Sequence, residues 1–116
     1  MSASFVAPEF LRELGPAGFT RQVERLLLHL GFQDVVNIDG PNDQGGDVLA
    51  TRAGRRWVFQ AKWKSSGPVS PAAIDEVINA RAFYGADRAV VVTNAHFGPL
   101  TRARRVALGG LLLGSR

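Results

Sequence analysis

Residues 87–95, DRAVVVTNA, hold an unbroken apolar run of the sort found in strands covered on both faces. The stretch before it, AAIDEVINARAFYGA at 72–86, has helical spacing, with Ile74, Val77, Ile78 and either Phe83 or Tyr84 on one stripe. Ser70 is placed to cap that helix, with Pro71 at its first position. A strand that follows a crossover helix returns parallel to the strand before it. These two segments already point to an α/β sheet covered by helices.

The upstream chain supplies the rest of the sheet. PAGFTRQVERLLLHLGF, residues 16–32, spaces Phe19, Val23, Leu26, Leu27 and Leu30 as one helical face, and Gly31 is a stop signal. QDVVNID at 33–39 reads as a short strand and GPNDQGG at 40–46 as a loop. DVLAT (47–51) and RWVFQAKW (56–63) read as two strands of a hairpin. With Gly54 at its first central turn position, Ala53 would pair with Arg56, Leu49 with Gln60 and Asp47 with Lys62. PLTRARRVAL at 99–108 reads as a second short helix with Leu100 and Ala103 inward, and Leu111–Leu113 suit one last strand. The expected order is helix, strand, strand, strand, helix, strand, helix: a mixed sheet flanked by helices.

A chain of 116 residues suits one domain. Residues 1–15 are expected to form an N-terminal extension ahead of a domain at 16–116, and the abrupt GGLLLGSR ending fits a domain cut from a longer protein. Apolar residues make up 46% and charged ones 21%, enough for a packed core. With no cysteine, disulfide frameworks and thiolate metal sites are excluded, and a cytoplasmic setting is expected. No signal peptide or membrane span is visible. The net charge of +4 and a pI near 10.7 favour polyanionic partners such as nucleic acid, though small domains that bind none share this balance.

Chemistry concentrates on the hairpin. Side chains two apart on a strand share a face, so Gln60 and Lys62 project with Val58, while Phe59, Ala61 and Trp63 take the core-facing side. With Asp47 nearby, a carboxylate, an amide oxygen and an ammonium converge. Asp47 and the Gln60 oxygen suit Mg²⁺ or Mn²⁺, and Lys62 suits a role in orienting water or offsetting phosphorane charge. The same residues also read as a surface ion pair beside a solvent-facing glutamine. The glycines of Asp43-Gln44-Gly45-Gly46-Asp47 favour the first reading, because they sit where backbone turns tightly or approaches a ligand.

DQGGDVLA, then FQAKWK, then a helix, then AVVVTNAHF resembles the Mrr-like restriction endonuclease domain of the PD-(D/E)XK nuclease superfamily, from the Phe19 helix to about Ala107. The resemblance implies a three-layer α/β fold and Mg²⁺-dependent (or Mn²⁺-dependent) hydrolysis of double-stranded DNA by an activated water, in a type IV restriction-like defence against foreign DNA. It implies Asp47, Gln60, Lys62 and Glu24 as catalytic residues. Gln60 stands where the superfamily motif has an acidic ligand. The family offsets this loss with an acidic residue from the first helix, which maps to Glu24. Asp47, Gln60 and Glu24 are thus the implied metal ligands.

Lys64 and Ser65, Thr93 and Asn94, and Arg102 and Arg105 are candidate DNA contacts, each with a plainer reading as solvated loop, turn cap or wet helix face. His29 and His96 form no recognisable catalytic pair, and no Walker-type loop is present. A homodimer is expected if both duplex strands are cut, and a further domain or helicase-type partner is compatible with the ending. Two rival functions stay open: a non-catalytic nucleic-acid-binding module, and a nuclease for junctions or RNA.

Overall fold

The computed structural model describes residues 15–38, 47–64 and 66–95, with the backbone of 111–113. The first helix, α1 (Gly15–His29), turns Phe19, Val23, Leu26 and Leu27 inward at the expected spacing. Gly31 ends it at φ +91°, a left-handed conformation that glycine adopts without the steric cost of a Cβ. The amides of Gly31 and Phe32 donate back to the carbonyls of Leu28 and Leu27 at 3.1 and 2.9 Å, closing the last turn.

Strands β1 (Gln33–Asn37), β2 (Asp47–Arg52), β3 (Arg55–Lys62), β4 (Arg88–Thr93) and β5 (Leu111–Leu113) form one five-stranded sheet in that order. β1, β2 and β3 pair antiparallel, while β3, β4 and β5 pair parallel. The crossover between β3 and β4 is α2 (Ala72–Tyr84). Ahead of it Pro71 already has helical dihedrals, and the Ala72 amide donates to the Ser70 hydroxyl at 3.1 Å, so Ser70 caps as expected. Of the two aromatic candidates for the buried stripe, Tyr84 packs and Phe83 is 81% exposed.

Alternation along the strands sorts the interior into two clusters. On one face α1 packs Phe19, Val23 and Leu27 against Val48, Ala50, Phe59, Ala61, Val90 and Val92. On the other α2 packs Ala73, Ile74 and Val77 against Val58, Ala89 and Val91. The result is the three-layer α/β arrangement, and it corrects one expectation. The Val58 face is as enclosed as the Phe59 face, because α2 covers it.

The hairpin register also differs from the sequence reading. Arg52 pairs with Arg55, Leu49 with Val58 and Asp47 with Gln60. Ala53 and Gly54 form the two-residue turn, both at positive φ (54° and 76°), which is the twist that matches a right-handed hairpin. Relative to the expected pairing the strands are offset by two residues. Such an offset keeps every side chain on its face, and it sets apolar Leu49 against Val58 beneath α2 instead of against Gln60. The loop at 40–46, Ser65, His96, the 99–108 segment with Arg102 and Arg105, and the 1–14 stretch lie outside the described residues.

Candidate active site

The site is built at the end of β3. Val58, Gln60 and Lys62 share the α2 face, and the first is sealed while the next two are polar. Gln60 is only 8% exposed, so it is not an ordinary solvent-facing glutamine. Its Nε2 approaches Asp47 Oδ1 at 3.5 Å, at the long end of a hydrogen bond. Its Oε1 is buried and has no hydrogen-bond partner among the described residues. An amide oxygen sealed without a partner costs about 1–3 kcal/mol.

Lys62, at the last position of β3, has a side chain 13% exposed. Its ammonium forms an ion pair with Glu76 of α2, whose side chain is 48% exposed. Asp47, expected opposite Lys62, is opposite Gln60 because of the two-residue offset. Glu76 was not among the candidates read from the sequence. Its flanks, Ile74 and Val77, reveal the buried side of α2, but only docking of the helix on β3 brings its carboxylate to Lys62.

Thr93 and Asn94 stand where parallel β3 and β4 both end. The Thr93 hydroxyl donates to the Lys62 carbonyl at 2.6 Å and accepts from the Ala95 amide at 3.1 Å. Asn94 is 1% exposed, and its amide side chain takes both backbone groups of Lys64. Oδ1 accepts from the Lys64 N–H and Nδ2 donates to the Lys64 carbonyl, each at 2.8 Å. The Asn94 side chain therefore acts as a surrogate peptide unit that extends the β3–β4 ladder past Lys62. Both residues grip the end of β3 and the segment just past it, which carry Lys62 and Lys64.

Glu24 is half-buried on α1, and its carboxylate accepts from the Asn37 side-chain amide at 3.1 Å. Asn37 pairs with Val48, which lies in the α1 cluster, so this contact forms on the face opposite Asp47 and Gln60. Among the described residues no group of three or more His, Cys, Asp or Glu could hold a metal ion. The oxygen donors that the strands bring together are one carboxylate and one amide, from Asp47 and Gln60. His29 is exposed on α1, as its position in the helix suggested.

A restriction endonuclease family model matches residues 11–113. No curated protein matches the chain. The chain is similar to a crystal structure described as a protein of unknown function, AF1548, at TM-score 0.66 and 20% identity, over 82% of this chain and 55% of that one. It thus spans little more than half the length of that protein, and at this identity the likeness speaks for the fold alone. The family match runs from ahead of α1 to the end of β5, across the three-layer sheet and the Asp47–Gln60–Lys62 cluster, and the chain belongs to the Mrr-like restriction endonuclease family.

Proposed function

We propose that the chain is a divalent-metal-dependent endonuclease acting on double-stranded DNA, in the manner of type IV restriction of foreign DNA. The observation that carries this reading is the Gln60 Oε1, buried without a hydrogen-bond partner among the described residues and adjacent to the Asp47 carboxylate. A polar atom left in that state fits a ligand that supplies the missing interaction.

The donor set fits a hard cation. Asp47 and Gln60 offer only oxygen, the preference of Mg²⁺ and Mn²⁺. When bound, such an ion supplies a more acidic water and charge neutralisation at the phosphate. Lys62 holds an ammonium two residues beyond Gln60 on the same face, where it would donate to a phosphate oxygen or to the attacking water. Thr93 and Asn94 keep that strand end from moving as charge develops. Glu24 engages Asn37 on the other face and is left out of the ligand set proposed here. Lys64, Ser65, Arg102 and Arg105 supply phosphate contacts along the duplex, consistent with a net charge of +4. Two copies would cut the two strands. Among the described residues no helix is long and apolar enough to cross a membrane.

The test is calorimetric titration of Mn²⁺ into the protein and into Asp47→Ala, followed by plasmid cleavage with both. Binding and nicking by the wild type, both lost with Asp47, are expected. A wild type that binds DNA but neither binds Mn²⁺ nor nicks would replace the nuclease reading with that of a docking module.

A further inference from the structure

We propose that Glu76 is a positioning residue for this reaction, fixing the Lys62 ammonium on the face of β3 that also carries Gln60. The inference rests on the nuclease reading above and adds a residue from a different element. Lys62 carries its charge on a long, flexible stem, yet its side chain is only 13% exposed. A charge so enclosed needs a partner of opposite sign. Glu76 is that partner, and it approaches from α2, not from the hairpin.

The position of Glu76 is imposed by packing. Ile74 and Val77 on either side are fully buried, and Ala73 and Ala80 complete the contact of α2 with the sheet. The helix therefore cannot rotate to withdraw the carboxylate without opening the α2 cluster. Lys62 is held independently at its other end, where its carbonyl accepts from Thr93 at 2.6 Å. Backbone and head group are thus fixed by two different elements, β4 and α2. A cation held in place before the substrate arrives stabilises developing phosphate charge without reorganisation, whereas a free lysine would have to be ordered first.

The test compares Glu76→Gln and Glu76→Asp with the wild type in steady-state cleavage of a duplex substrate, and repeats Glu76→Gln in a Lys62→Ala background. Glu76→Gln is expected to lower kcat roughly tenfold or more while KM stays within about twofold, since the interaction matters in the transition state. Glu76→Asp should recover part of the loss, and Glu76→Gln should be silent once Lys62 is absent. The thermal midpoint of Glu76→Gln should fall, because the enclosed Lys62 ammonium loses its opposite charge, and should recover in Glu76→Gln/Lys62→Ala, so kcat is compared at a temperature where every variant is folded. Wild-type kcat in Glu76→Gln, or a loss that adds fully to that of Lys62→Ala, would overturn the role. A wild type that neither binds Mn²⁺ nor cuts overturns the nuclease reading and Glu76 with it, and is distinguished from the first outcome by the wild-type control alone.

Discussion

The two faces of β3 have opposite characters although their residues alternate along one strand. On the α1 face Trp57, Phe59 and Ala61 pack along its length, and Trp63 just past its end packs with them. Trp57 stacks on Phe59 at 5.8 Å, and Phe32 stands edge-on to both. On the α2 face only Val58 is apolar, and Gln60 and Lys62 follow it toward the strand end. The aromatic and aliphatic surface of the first face gains from burial, with the Trp57 indole N–H its one unpartnered buried polar atom among the described residues, whereas a buried amide and ammonium on the second lose hydration. The polar pair occurs where the parallel strands β3 and β4 both finish, the end at which α/β sheets place ligands. One face of the strand holds the fold, and the end of the other carries the residues of the proposed site.

The largest effect expected from this division is on the α1 face. Phe59→Ala should cost about 3–5 kcal/mol in chemical denaturation, because it empties the middle of the aromatic group. Folded Phe59→Ala should still bind Mn²⁺ as the wild type does. Loss of binding in protein shown by circular dichroism to be folded would break the separation of the faces. Asn94→Ala comes next, at about 1–3 kcal/mol, since it leaves both backbone groups of Lys64 without their buried partner. Here stability and kcat should fall together while Mn²⁺ affinity holds, because Asn94 grips the strand end beyond Gln60. An Asn94→Ala protein of unchanged stability would show that the clamp is not buried as described.

Much of this division was legible in the sequence. The helical spacing of Phe19, Val23 and Leu27, the unbroken run at 89–92 and the Gly31 stop each follow from local periodicity or backbone conformation, so α1, α2 and the parallel pairing of β4 can be read from the sequence. So can the sharing of one face by Gln60 and Lys62, which depends only on alternation. The register cannot. Ala-Gly is a weak turn signal, and nothing local says that Ala53 adopts positive φ so that Leu49 meets Val58. The enclosure of Gln60 and the Lys62–Glu76 pair were equally invisible, because both arise when α2 docks.

Gln60→Leu sharpens the comparison at lower cost. It replaces an amide with an unpartnered buried oxygen by an apolar group of similar size, extending the character of Val58 one step along the strand. Stability should be unchanged or rise by about 1 kcal/mol. Calorimetry with Mn²⁺ and plasmid nicking should both report loss. A variant that is less stable yet still nicks would mean that the Gln60 amide serves the fold and not the site.

The smallest effect tests what assigns residues to their partners across the hairpin. Ala53 and Gly54 both hold positive φ, which costs an alanine about 1–2 kcal/mol relative to its preferred regions. Asparagine tolerates that conformation better, and Asn-Gly is the favoured pair for a turn of this twist. Ala53→Asn should therefore stabilise the protein by roughly 0.5–1 kcal/mol in urea denaturation, recovering part of the strain that alanine carries there. The turn lies at the opposite end of β2 and β3 from Asp47 and Gln60, so cleavage should be unchanged. If Ala53→Asn is instead destabilising, Ala53 does not sit at positive φ. The pairing of Arg52 with Arg55 would then fail, and so would the register that brings the Asp47 carboxylate beside the buried oxygen of Gln60.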